Sequence, residues 1–222
     1  MDIANNIAEI KKTLPEGVKL VAVSKTKPVE DIMMAYHSGH KIFGENKVQD
    51  LAGKYEQLPK DIEWHFIGHL QTNKVKFVAP FVNLLHGIDS LKLLKVVNKE
   101  AQKNDRIVSC LLQFRIAEEA TKFGFSIEEA QDLLNSEEIK SLQNVEIAGV
   151  MGMATYTNNE NQIRNEFRLL NNIFNTLKNE YFSGNENFRE ISMGMSDDFL
   201  IAVEEGSTLI RVGSKIFGSR NY

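Results

Sequence analysis

Eight short apolar runs, each followed by a helical stretch or a turn, constrain this 222-residue chain more than any other feature. They are "KLVAVSK", "KIFGEN", "EWHFIGH", "LLHGID", "RIVSCLLQF", "EIAGVMGM", "REISMGM" and "LIRVG". Near-continuous apolar runs of this length read as parallel strands covered on both faces. The stretches between them read as helices. "PVEDIMMAYHSG" places Pro28 at a first helical position and stops at Gly39. In "NQIRNEFRLLNNIFNTLKNEY", Ile163, Phe167, Leu170, Phe174 and Leu177 share one apolar face. A leading helix is expected over residues 2–13. Eight such units predict an α/β protein, a single (β/α)8 TIM-type barrel over residues 1–222. The rival architecture is an open doubly wound sheet of eight strands.

Composition narrows the setting. Hydrophobic residues make up 42% and charged residues 25%, as in ordinary globular chains. A formal charge of -4 gives no general attraction to nucleic acid or anionic membrane. Lys92, Lys95, Lys99 and Lys103 form a basic stripe that reads as a solvated helix face. No apolar run approaches the roughly 18 residues of a membrane span, and "MDIANNIAEIKK" is not a signal peptide. The lone Cys110 cannot form an internal disulfide and reads as a small buried residue. A cytoplasmic location is the expectation.

In a barrel of this kind the active site lies at the C-terminal ends of the strands. Those ends carry Lys25, Asn46, His65, His86 with Asp89, Met153, Ser192 with Ser196, and Arg211 with Gly213 and Ser214. Nearly every strand thus ends on a polar group, which points to a ligand-lined mouth. Lys25 and Lys27 share parity with Val21 and Val23. Pro28 limits the strand, so Lys27 falls in the turn and Lys25 is expected as the last strand residue. A partly desolvated lysine has a lowered pKa and suits covalent chemistry with an aldehyde. From this strand alone, a lysine snorkelling to the rim or paired with a carboxylate is the better-supported reading. The loops after strands seven and eight, "SMGMSDD" and "RVGSKIFG", add the usual phosphate cradle of these barrels. Ser196, Gly213 and Ser214 offer neutral donors for a phosphate dianion, although serines near helix starts also serve as N-caps. A lysine joined to such a cradle suggests a phosphorylated aldehyde, with pyridoxal 5′-phosphate (PLP) leading.

Taken together, "VAVSKTKP", "FGENKVQD", "WHFIGHLQTNK", "ISMGMSDDF" and "GSTLIRVGSKIFGSRNY" closely resemble the pyridoxal phosphate homeostasis proteins. The resemblance runs from residue 21 to the C-terminus. It implies a fold type III PLP barrel, similar to the N-terminal domain of alanine racemase and to that of ornithine decarboxylase. It implies a covalent aldimine on Lys25, and phosphate contacts from Ser196, Gly213 and Ser214. It sets Arg211 against the pyridine nitrogen, and Asn46 and His65 along the ring. Gly87, in "HGID", stands where the family is expected to carry a serine, which would loosen one contact near His86. The function implied is holding PLP and supplying it to PLP-dependent apo-enzymes, from a monomer and without turnover. An amino-acid racemase or decarboxylase is the alternative. It is disfavoured by the lack of the additional β domain that completes those active sites. A third reading is a sugar-phosphate enzyme without PLP.

Other chemistries find less support. His65 and His69 on one strand would stand about 13 Å apart at roughly 3.3 Å per residue, too far to share a metal. Walker A, Gly-x-Gly-x-x-Gly and Gly-x-Ser-x-Gly patterns are absent.

Overall fold

A strand covered on both faces sends alternate residues into two different cores, one inside the barrel and one beneath the helices. The computed structural model describes residues 2–118 and 123–218. Its strands are β1 Lys19–Val23, β2 Ile42–Glu45, β3 Glu63–Phe66, β4 Leu84–Ile88, β5 Val108–Gln113, β6 Val145–Met151, β7 Glu190–Ser192 and β8 Leu209–Val212. All neighbouring pairs are parallel, and the order β1 to β8 closes on itself. Closure excludes the open sheet. Val21, Leu84, Leu111, Ala148, Met151 and Leu209 pack together as an inner core. Leu20, Ala22, Phe43, Trp64, Leu85, Ile210 and Val212 belong to the larger core shared with the helices.

The helices are α1 Ile3–Lys12, α2 Val29–His37, α3 Val48–Gln57, α4 Leu91–Gln102, α5 Ile127–Asn135, α6 Glu137–Lys140, α7 Glu160–Glu180, α8 Phe199–Glu204 and α9 Ser214–Phe217. A 3-10 helix, Thr72–Phe77, serves between β3 and β4. The leading helix is where the sequence placed it, capped by the Asp2 carboxylate accepting from the Asn5 amide. Asn159 caps α7 in the same way, and α7 buries Ile163, Phe167, Leu170 and Leu177. Phe174 is half-buried and stacks on Phe188, 4.9 Å between centroids. The lysine stripe of α4 is exposed, and Cys110 is fully buried, its thiol pKa raised by burial. Among the described residues no helix is long and apolar enough to cross a membrane.

Two local expectations change. Pro28 is the N-cap of α2 rather than its first helical residue: its ψ of 166° is extended, and the helix begins at Val29. Strand β1 ends at Val23, so Lys25 is not a strand residue but part of the following turn. The cause is the capture of Ser24, described below.

Phe188 is fully buried, sandwiched between Phe174 and Phe182 where α7 meets the barrel. Phe188→Ala is therefore expected to cost about 3–5 kcal/mol of stability, measured by urea denaturation; a loss below 1 kcal/mol would contradict this packing.

Candidate functional site

The turn after β1 is held from three directions. The Ser24 hydroxyl donates to Glu45 Oε1 at 2.6 Å, and Lys54 Nζ donates both to Glu45 Oε1 (2.7 Å) and to the Ser24 carbonyl (2.9 Å). The Lys27 amide closes the turn on the same carbonyl at 3.0 Å. Thr26 sits between the two lysines with φ of 64°, one of two non-glycine residues at positive φ among the described residues. For a β-branched side chain that is strained backbone, of the kind surrounding structure must enforce. Lys27 then sends Nζ to the Phe217 carbonyl at the end of α9, 2.7 Å away. Lys25 is half-buried within this clamped turn.

Glu45 and Lys54 escaped the sequence reading because they lie outside the barrel wall, not at its mouth. Glu45 follows Gly44 on β2 with the opposite parity, and that charged residue in an apolar run was the available signal. Its side chain is fully buried, Oε2 has no hydrogen-bond partner, and burial raises its pKa despite Lys54. Removing one partner of a buried ion pair leaves an uncompensated charge. Lys54→Met is expected to destabilise by about 3–5 kcal/mol, read from chemical denaturation, and a neutral result would remove Lys54 from this brace.

On the other side of the mouth stand the loops after β7 and β8. The Gly213 amide donates to Ser196 Oγ at 3.3 Å, and the Asp198 carboxylate accepts from the Met195 amide at 2.6 Å. A Cβ on Gly213 would lie 3.2 Å from the Val23 carbonyl oxygen, so a side chain there would jam against β1. Ser214 is exposed and opens α9, whose first amides have no intrahelical acceptors. Arg211 is 4% exposed; its guanidinium donates to Ser192 Oγ and to the Gly152 carbonyl. Burial lowers its pKa to about 10, which leaves it charged at neutral pH.

Asn46 follows β2 directly. A Cβ on Gly68 would meet the Asn46 carbonyl oxygen at 2.4 Å, and one on Gly87 would meet the Gly68 carbonyl oxygen at 2.7 Å. Gly87 therefore admits the close backbone stack that seats Asn46, and a serine there would require Gly68 to move. His65 is 5% exposed and lines a cavity at the opposite, N-terminal mouth with Lys19, Glu63 and Asn83. It reaches Arg211 only through His86 and Ser192. His69 Nδ1 faces Asp89 Oδ2 at 3.2 Å, and no group of metal-ligating side chains forms among the described residues.

Burial holds His65 to a pKa of about 3, His40 to about 4, and His86 well below the usual imidazole value. In the unfolded chain these rings take up protons below about pH 6.5. The unfolded state then binds more protons than the folded one, and stability falls with acidification by up to about 1.4 kcal/mol per histidine per pH unit. The raised carboxyls of Glu45 and Asp198 act in the opposite sense. Stability at pH 5.5 is expected to be about 2–4 kcal/mol below that at pH 7; equal urea midpoints at the two pH values would show these rings to be protonated in the fold.

This arrangement has known counterparts. The alanine racemase N-terminal domain family matches residues 1–221. The pyridoxal phosphate homeostasis protein of Aquifex aeolicus is 41% identical over 205 residues, 92% of this chain and 88% of that one. The PLP-bound structure of PipY from Synechococcus elongatus superposes with a TM-score of 0.89 at 32% identity, covering 97% of this chain and 100% of PipY. An alanine racemase of Clostridium difficile shares the fold at a TM-score of 0.71 and 12% identity, covering 100% of this chain and 56% of the racemase. Full-length matches at this identity place the chain in the alanine racemase N-terminal domain family and, within it, among the pyridoxal phosphate homeostasis proteins.

Proposed function

We propose that this protein binds PLP at the C-terminal mouth of its barrel and serves intracellular PLP homeostasis, holding the cofactor and supplying it to apo-enzymes. The observation that carries this reading is the closure of β1 on β8. It brings the clamped Lys25 turn beside Gly213 and α9, with the charged Arg211 on the strand that leads into that cradle. The fit is chemical as well as spatial. The Gly213 amide and the Ser196 hydroxyl meet at 3.3 Å as neutral groups, a Cβ at residue 213 would press on Val23 of β1, and Arg211 on β8 is a buried cation with only neutral hydrogen-bond partners.

Bound PLP supplies an aldehyde that couples reversibly with amines and a ring that withdraws electrons. Lys25 provides the amine for that covalent link. Lys27 is engaged with the end of α9, so it serves as a tie between the lysine turn and the cradle. Ser196, Gly213 and Ser214 hold the phosphate, and Asn46 borders the ring from β2. His65 contributes at one remove, through His86. Arg211 donates and cannot accept, so it leaves a ring nitrogen facing it without a proton and weakens the ring's pull on electrons. A single barrel over residues 1–222, acting as a monomer in the cytoplasm, completes the reading.

The racemase reading is weaker. The relative with 88% of its length covered is named for homeostasis, and the racemase likeness is one of fold. Borohydride reduction of the PLP-loaded protein followed by peptide mapping tests the site. The label is expected on Lys25, lost in Lys25→Ala and retained in Lys27→Ala; a label confined to Lys27 would overturn the assignment. With L-alanine in heavy water, racemisation at or above about 1 s⁻¹, the low end of ordinary enzyme rates, would favour the racemase.

A further inference from the structure

A polar chain runs through the middle of the barrel, beside the apolar inner cluster of Val21, Leu84, Leu111 and Leu209. Arg211 Nη1 donates to Ser192 Oγ, Ser192 Oγ lies 2.9 Å from His86 Nδ1, and His86 Nε2 lies 3.0 Å from His65 Nδ1. Distances alone leave the protons unassigned, but counting donors and acceptors assigns them. Ser192 is fully buried, and its hydroxyl proton needs an acceptor. A guanidinium has none to offer. His86 Nδ1 is the other partner of that oxygen, so the hydroxyl donates to it and Nδ1 is the unprotonated nitrogen. Neutral His86 then carries its proton on Nε2 and donates to His65 Nδ1. His65 in turn carries its proton on Nε2, at the cavity of about 160 Å³ that it lines at the N-terminal mouth. The reverse order would strand the Ser192 proton in the core without an acceptor. The assigned order also turns the positive end of every dipole away from the Arg211 charge.

We propose that Ser192, His86 and His65 are positioning residues for Arg211, a one-way hydrogen-bond relay that holds the guanidinium at the mouth and fixes both histidine tautomers. The proposal rests on Arg211 being the partner of the cofactor's ring nitrogen. The relay holds one Nη of the guanidinium, and the 3.2 Å contact to the Gly152 carbonyl holds the other. Without Ser192 the arginine keeps only the longer contact. Because the relay is neutral throughout, it steadies the arginine without neutralising it.

Nitrogen-15 NMR of the histidine side chains, recorded on the whole chain with and without added PLP, reads the relay directly. Both rings are expected in the neutral Nε2–H form; an Nδ1–H form of His86 overturns the proposal. The second measurement uses PLP labelled with nitrogen-15 in the ring. Ser192→Ala is expected to shift the ring-nitrogen resonance and to speed PLP release about tenfold, equivalent to about 1.4 kcal/mol. Ser192→Thr, which keeps the hydroxyl, is expected to restore both. A folded Ser192→Ala protein with unchanged resonance and release rate refutes the positioning role, whatever its thermal stability. Should Ser192→Ala not fold, His65→Phe removes the far end of the relay and must also move the ring-nitrogen resonance; no movement refutes the relay. Wild-type protein that takes up no PLP would refute the proposed function, and the histidine tautomers would still decide the relay.

Discussion

The pairing of Lys19–Ala22 with Leu209–Val212 is the contact on which the rest of the molecule depends. A parallel sheet left open there would expose two edges, each with unpaired backbone groups. Closing it removes both edges and encloses the inner core of Val21, Leu84 and Leu209. It also converts two remote sequence motifs into neighbours. The Val23 carbonyl comes so near Gly213 that no other residue fits there without displacement. Architecture and site are therefore consequences of one strand pairing.

Much of this was legible because barrels obey simple periodicities. Eight apolar runs gave eight strands, and Val21 lies in the inner core. The strand-end rule selects Lys25, Asn46, Ser196 and Arg211 as candidates, and Lys25 lies two residues beyond its strand. That slip is local in origin: Ser24 makes its bonds to Glu45 and Lys54 from neighbouring elements, and a single strand carries no trace of them. His65 and His86 sit inside the runs "EWHFIGH" and "LLHGID", and the strand-end rule assigns both to the C-terminal mouth, whereas His65 lines the N-terminal one. Their actual partners lie 21 and 106 positions away. Hydrophobic patterning reports which face is buried, not which buried polar groups meet there.

The two costly features of the fold flank the same site from opposite sides of the barrel wall. Outside the wall, Glu45 is buried with one oxygen unpartnered; inside it, Arg211 is buried with neutral partners. Neither arrangement is what stability alone would select, since apolar replacements of buried charges are often neutral or stabilising. Strained Thr26 lies next to Lys25, in the turn that Glu45 and Lys54 brace. Unfavourable local choices gathered around one turn are what a site that must hold a reactive group in one geometry would show.

The Lys27 ammonium and the Phe217 carbonyl are 190 residues apart in the chain. A contact of that separation forms late, because the loop-closure entropy of everything between must first be overcome. During synthesis, the lysine turn emerges early and waits for the last strand and α9 before its mouth has a second wall. Any ligand of that mouth consequently binds finished molecules alone, and stabilises them by mass action against opening at the β1–β8 seam. Occupancy of that mouth therefore reports that β1 and β8 have closed on each other.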